Sequence, residues 1–424
     1  MKKLQKNRLA ILGGKPVINR KKPHFVWPII TKQVERAVVK QLHESVSIYN
    51  RSGIFKEFEE FFASYHNRKY CLVGNSGTTS LYTMYVAAGV GPGDEVICPA
   101  YTFFATASPI FFTGAKPVLA DCDINGNIDP QHVESLITRR TKAIVVTHMW
   151  GVPAQMDKLS QICKKYKLLL MEDCSHAHGA KYKNKLVGTY GDIAVWSLQG
   201  QKTVTGGEGG VLLTDSPEIY YRSLLLGHYN KRCLQEIPST HPLYKYGVTG
   251  MGLKLRAHPL AIAMANEQLT HLNDWLKKRN VFAKKLIKAA SDYPGLTPPF
   301  IESDTTPSWY ALVWQYKPEH FDGLVLKDFY EALQAEGLVE FDLPRSTAPL
   351  NLLPLFQNPE NFFPGYRGQM KYRVGQFPVA EKFYNQAIKL PVWHREIDSK
   401  MVDLYSIGLK KVLDNYYELL KFKK

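Results

Sequence analysis

Apolar residues recur along this chain with two periods. Short β-branched or apolar runs lie near residues 69–74, 95–98, 117–120, 142–147 and 167–172, separated by segments of helical period. That alternation predicts a mostly parallel sheet covered by helices on both faces. Two further runs, 193–197 and 210–214, bracket a glycine-rich loop. Helical patterning is expected over Lys32–Tyr65. It is expected again over His258–Ala290, where Leu260, Met264, Leu269, Leu272, Trp275 and Leu276 form an apolar stripe before Pro294, Pro298 and Pro299. The remainder reads as mixed α+β, with a Pro- and aromatic-rich stretch at 345–392 that the pattern leaves unassigned, and no internal repeat is found. The expected organisation is a basic arm over residues 1–30, a large α/β domain over 31–275 and a smaller C-terminal α+β domain over 276–424.

Composition narrows the class. The 424 residues are 45% hydrophobic and 22% charged, a globular balance that excludes wholesale disorder. The net charge of +16 raises the question of an anionic partner. Its distribution answers most of it. Residues 1–22 carry eight basic side chains and no acid, and Lys421, Lys423 and Lys424 add three, which leaves +5 for residues 23–420. With no basic stripe or nucleic-acid motif on the body, the charge reads as solvated ends, and no nucleic-acid partner is expected. The six cysteines show no C-x-x-C spacing, and no apolar run approaches the roughly 20 residues of a membrane span. A soluble, cytoplasmic protein without membrane contact is expected.

Four segments carry candidate chemistry. Ser197-Leu-Gln-Gly-Gln-Lys202-Thr-Val-Thr-Gly-Gly-Glu208-Gly-Gly210 places a lysine between two apolar strands, followed by glycines that allow close approach of a ligand. A buried lysine there is suited to Schiff-base chemistry, and a surface lysine in a mobile loop is the plainer alternative. Gly74-Asn-Ser-Gly77-Thr78-Thr79-Ser80 follows a strand and opens a helix, which makes either a phosphate site or a simple N-cap. It lacks the Gly-Lys-Ser/Thr ending of a P-loop. Leu168-Leu-Leu-Met-Glu172-Asp173-Cys-Ser-His176-Ala-His178 ends an apolar strand in a carboxylate, at the strand end where α/β sheets bind ligands. Asp173 there could pair with a heterocyclic nitrogen, and His176 could face the same ligand. The spacing matches no strong zinc or iron signature, so no metal is expected. Finally, Tyr101-Thr102-Phe103-Phe104 follows the strand ending at Cys98, where an aromatic could stack on a planar ligand or pack in the core.

The ordered set of Ser-Gly-Thr, Tyr-Thr-Phe, Glu-Asp-x-x-His and Ser-x-x-x-x-Lys with Gly-Glu-Gly-Gly resembles the DegT/DnrJ/EryC1/StrS family of pyridoxal-phosphate-dependent sugar aminotransferases. The resemblance runs from Leu9-Ala-Ile-Leu-Gly-Gly to Leu390-Pro391. It implies the fold-type-I architecture of pyridoxal-phosphate transferases, with a large, mostly parallel seven-stranded sheet, a smaller C-terminal domain and a homodimer sharing its active sites. It implies that Lys202 carries the cofactor as a Schiff base, that Asp173 pairs with the pyridine nitrogen, that Phe103 stacks on the ring and that His176 lies near the ring hydroxyl. Gly77, Thr78, Thr79 and Ser197 match phosphate-contacting positions. The family's Gly-x-Asn-x-Arg element stands here as Gly252-Leu-Lys254-Leu-Arg256, so Lys254 replaces an asparagine that reaches the phosphate of the neighbouring subunit. The implied reaction is ping-pong amino transfer, through pyridoxamine phosphate, from glutamate or glutamine to a keto-sugar, nucleotide-linked keto-sugar or keto-cyclitol. His148, Trp150 and Glu208 are candidate neighbours of the substrate. Dehydratases of the family carry His where this chain has Lys202, which argues against that chemistry, while an aminohydroxybenzoate-forming lyase remains an alternative. A non-catalytic anion or nucleic-acid binder is a remote one.

Overall fold

The computed structural model describes residues 8–19 and 23–422. Seven strands form the central sheet: β1 (Tyr70–Gly74), β2 (Glu95–Pro99), β3 (Lys116–Ala120), β4 (Thr141–Thr147), β5 (Leu169–Asp173), β8 (Ile193–Ser197) and β9 (Gly210–Thr214), in the order β1-β9-β8-β5-β4-β2-β3. A short hairpin, β6 (Lys181–Tyr182) and β7 (Lys185–Leu186), stands apart from it. Pairing is parallel from β8 through β3, and β9 alone runs antiparallel to both its neighbours. Strands β2, β8 and β9 are buried at every position. This is why they read as continuous apolar runs rather than alternating ones.

Alternate residues feed two cores. Leu72, Cys98, Val145, Met171, Val195 and Leu212 point to one face, and Cys71, Val73, Ile97, Ile144, Val146 and Trp196 to the other. Phe55, Phe58 and Phe62 of the helix Gly53–His66 cover the second face. The first is covered by the helix Gly77–Ala87 and by Leu350, Phe356, Tyr366, Phe377 and Phe383, from the stretch that the sequence pattern left unassigned. A second sheet, β10 (Leu296–Thr297), β11 (Leu312–Tyr316) and β12 (Ala387–Leu390), is antiparallel. It builds its own core around Trp314, Tyr316, Phe329 and Tyr405.

Three expectations change in detail. The helical segment expected over Lys32–Tyr65 is two helices, Lys32–Glu44 and Gly53–His66, because Ser45 leaves the helix with φ −169° and the next starts only after Ser52. The long helix expected over His258–Ala290 breaks at His271, whose N–H bonds back to the Gln268 carbonyl, into Pro259–Thr270 and Leu272–Ala289. The expected basic arm is docked on its own chain over residues 8–19. Leu9 and Ile18 enter the core of the small sheet, and the Ala10 and Val17 N–H groups donate to the Glu336 carboxylate at 2.8 and 3.1 Å. Most of the arm's basic residues, Lys2, Lys3, Lys6, Arg20, Lys21 and Lys22, lie outside the described residues, as do Lys423 and Lys424.

Candidate active site

Strands β1, β2, β4, β5 and β8 end at one edge of the large sheet, and the small sheet faces that edge across a cavity of about 810 Å³. Such a volume holds a cofactor together with a sugar-sized substrate. Gly77, Thr78, Phe103, Asp173, His176, Ser197 and Lys202 all line it, although they are spread over 125 positions of sequence. Convergence of strand ends is what brings them together.

Each is held by local structure. Asp173 is the last residue of β5 and is buried. Its Oδ2 accepts from the Thr106 hydroxyl at 2.7 Å and its Oδ1 from the Ser175 N–H at 3.0 Å. Thr106 belongs to a buried hydroxyl cluster with Thr102 and Thr147. Lys202 follows β8 in a turn in which its N–H donates to the Gln199 carbonyl. The Trp27 indole holds the Lys202 carbonyl at 3.0 Å. Burial pushes the Lys202 amine down to about 8, with the Asp173 charge offsetting part of the shift. A Schiff-base lysine needs this, because only the neutral amine adds to a carbonyl.

Ser76 caps the helix Gly77–Ala87 by accepting from the Thr79 N–H, which leaves the N–H groups of Gly77 and Thr78 without intrahelical partners. Gly77 packs so tightly on β8 that a Cβ there would lie 2.6 Å from the Ser197 Cβ. The result is a cradle of backbone donors beside a hydroxyl, open to a phosphate. Its chemistry fits pyridoxal phosphate: phosphate donors at one end, and a desolvated amine and a buried carboxylate in the same cavity. His176 is also buried, with Nδ1 unpartnered among the described residues. Burial, the Lys202 charge and His178 hold His176 neutral.

Two expected phosphate contacts are not in this cavity. The Thr79 hydroxyl donates to Asn75 Oδ1 at 2.5 Å and lies beside Ser76 Oγ at 2.9 Å, and the residue does not line the cavity. Lys254 is exposed and also outside it, next to Leu255, whose carbonyl accepts from the Asn75 N–H. Of the expected substrate neighbours, Trp150 and Glu208 line the cavity and His148 does not. His148 is fully buried, accepts from the Ala154 N–H at Nδ1 and meets Glu172 at 3.3 Å through Nε2. With Cys174 these two bring three potential ligand atoms within 4.8 Å. The Glu172 carboxylate, however, already accepts from the N–H groups of Gly188, Tyr190 and Gly191 at 2.6–2.8 Å, so the cluster is an anchor for the loop after β7.

Other lining residues had no local signal in the sequence. Tyr310 stacks on His176 with centroids 4.1 Å apart and planes 7° from parallel, and its ring lies 4.7 Å from Lys202 Nζ. It sits in an apolar run that reads as strand core. Across the cavity Asp342 binds Lys389 at 2.7 Å and Arg345 at 2.8 Å, all three contributed by the small-sheet side.

Comparisons with known proteins place the chain in a family. The profile of the DegT/DnrJ/EryC1/StrS aminotransferase family matches residues 30–403. The spore coat polysaccharide biosynthesis protein SpsC of Bacillus subtilis is 31% identical over 390 residues, covering 91% of this chain and 96% of that protein. An L-glutamine:2-deoxy-scyllo-inosose aminotransferase of Streptomyces kanamyceticus is 34% identical over 363 residues, 83% of each chain. The crystal structure of an aminotransferase from Psychrobacter cryohalolentis superposes with a TM-score of 0.82 at 25% identity, covering 93% of this chain and 99% of that one. Fold, cavity and relatives define a pyridoxal-phosphate-dependent aminotransferase. The chain belongs to the DegT/DnrJ/EryC1/StrS aminotransferase family.

Proposed function

We propose that this enzyme moves an amino group from glutamate or glutamine to a keto-sugar, nucleotide-linked keto-sugar or keto-cyclitol in a ping-pong cycle. The observation that carries the reading is the placement of the Lys202 amine, with its depressed pKa, and the Asp173 carboxylate in one cavity large enough for cofactor and sugar. Pyridoxal phosphate, when bound, supplies an electron sink for the carbon that loses its proton. Lys202 would hold the cofactor through Nζ, and the same amine would move a proton as general base and acid. Asp173, oriented by Thr106 and Ser175, pairs with the pyridine nitrogen. Gly77, Thr78 and Ser197 would hold the phosphate, Phe103 would cover the ring and His176 would face the ring hydroxyl; all five line the cavity. Thr79 supports the cradle from outside through its bonds to Asn75 and Ser76. The presence of Lys202 favours transamination over the dehydratase reading.

A second copy of the chain completes the site in this reading and brings Lys254 towards the phosphate. Exposed apolar residues on and after the helix Lys32–Glu44 (Val39, Leu42, Val46, Tyr49), with Met251 and Leu253 beside Lys254, support this reading as a surface for a second copy to cover. The test is a donor-and-acceptor screen by mass spectrometry. Keto acid and amino product are expected to appear one for one, with parallel double-reciprocal plots. Borohydride is expected to fix the cofactor to Lys202, and a Lys202→Ala enzyme to lose turnover. Fixation at another lysine, or a wild-type protein that binds no pyridoxal phosphate, overturns the reading.

A further inference from the structure

Arg279, on the helix Leu272–Ala289, is 3% exposed, and among the described residues no carboxylate lies within ion-pairing distance of it. Burying an unpaired guanidinium is costly, and burial pushes its pKa down to about 10. Packing alone does not require such a group at this position, because an apolar side chain of similar length would fill the space at lower cost. What the guanidinium contacts suggests a use. Its Nη1 donates to the Thr203 hydroxyl at 2.9 Å and lies 3.4 and 3.3 Å from the carbonyls of Ser308 and Trp309. Thr203 is the residue after Lys202, and Ser308 and Trp309 immediately precede Tyr310. One nitrogen therefore ties the lysine turn to the segment that carries the aromatic ring under the lysine amine.

That segment needs holding. Trp309 has φ +52°, a left-handed conformation disfavoured for a bulky side chain. The next residue of the helix, Asn280, accepts from the Trp309 indole at 2.9 Å, while Ser308 donates to the His176 carbonyl at 2.9 Å. Successive residues of one helix thus hold a strained strap against the end of β5. The face of Arg279 is covered by the Trp27 ring at 5.6 Å, and Trp27 holds the Lys202 carbonyl.

We infer that Arg279 is a positioning residue that sets the Lys202 amine against Tyr310 by bonding the lysine turn and the 308–310 strap at once. The inference rests on Lys202 being the cofactor-bearing lysine. The titratable groups around that amine are Asp173, His176, His178 and Tyr310. Loss of the clamp loosens the packing around the lysine turn and admits water, which relieves the burial that holds the amine at about 8 and raises its pKa.

The test uses full-length wild type, Arg279→Met, Arg279→Lys and Thr203→Val. In cofactor-free protein, the pH dependence of Lys202 modification by a limiting amine reagent, read by mass spectrometry, gives the amine's pKa. It is expected to rise by about half a unit or more in Arg279→Met. In holoenzyme, kcat is expected to fall about tenfold or more with donor KM within about threefold, because the contact is spent on orientation. Arg279→Lys, which keeps the charge but lacks the planar fork, is expected not to restore kcat. Thr203→Val cuts only the link to the lysine turn, so it gives a smaller change of the same sign with unchanged thermal unfolding, and it decides the matter if the Arg279 variants do not fold. Wild-type pKa and kcat in Thr203→Val, or in folded Arg279→Met, overturn the inference. Full recovery in Arg279→Lys overturns the geometric part of it. Borohydride fixation at a lysine other than Lys202 in wild type would instead overturn the reading on which it rests.

Discussion

Gly77→Ala tests the phosphate cradle through a single methyl group. Gly77 is the first residue of the helix Gly77–Ala87 and has no left-handed backbone, so alanine is allowed there conformationally. By restricting the unfolded chain the change stabilises by about 0.4–1 kcal/mol. Against it stands contact with β8. The added Cβ would lie 2.6 Å from Ser197 Cβ, 2.9 Å from its Oγ and 3.0 Å from its Cα. Carbon atoms pack at roughly 3.5–4.0 Å, so the helix start must retreat by about 1 Å from a strand buried at every position. Overpacking of this kind costs about 1–3 kcal/mol. The two effects nearly cancel in overall stability. With about 2.1 cal/mol/K per residue over the chain, the cofactor-free protein is expected to melt within roughly 2 °C of wild type.

Cofactor affinity has no such compensation. The retreat carries the Gly77 and Thr78 N–H groups away from Ser197, and a hydrogen bond to a charged group is worth about 1.5–3 kcal/mol. Loss of one such bond weakens pyridoxal phosphate binding by about 10- to 100-fold. Equilibrium titration of the cofactor-free protein, followed by the change in cofactor absorbance, measures this directly, with a melt on the same sample as control. An affinity within twofold of wild type would refute the placement of the phosphate at the Gly77–Ser197 junction.

Two further outcomes follow from other parts of the site. Asp173→Asn, whose single amide oxygen can accept from the Ser175 N–H while its NH2 group turns as donor to the Thr106 hydroxyl, is expected to bind cofactor but to lower kcat by about 10²-fold or more. Single-turnover kinetics separate that loss from a binding defect. Glu172→Gln is expected to destabilise the fold by about 3 kcal/mol, read by denaturant unfolding, because three backbone donors and His148 lose a carboxylate. The bonds from His148, Gly188 and Gly191 overcome desolvation and hold the Glu172 carboxyl below its ordinary value of 4.5. Its contribution is therefore fully present above pH 4.5 and is lost as pH falls through the lower folded value. A Glu172→Gln protein as acid-sensitive as wild type would show that another group controls acid unfolding.

What the sequence determined is what local chemistry determines. Continuous apolar runs fix strands buried on both faces. Ser76 before Gly77 fixes a helix start, and glycines after Lys202 fix a loop that can approach a ligand. Asp173, Lys202 and Gly77 were therefore legible as strand-end chemistry before their meeting was visible. The tertiary structure decided which of them meet. Strand order places β5 between β4 and β8, so Asp173 and Lys202 share one cavity, while the alternating side-chain direction turns neighbouring Glu172 towards His148 and the loop after β7. It also engages the Thr79 hydroxyl with Asn75 and Ser76 and buries His148 beside Glu172, outside the cavity. Arg279 and Tyr310 escaped the sequence altogether. One lies on a helix whose pattern reports only its apolar stripe, the other in a run that reads as core, and each acquires its role through contacts distant in the chain, 76 residues for Arg279 with Thr203 and 108 for Tyr310 with Lys202. Lys254 marks where a single chain ends its say, since its expected target belongs to a second copy.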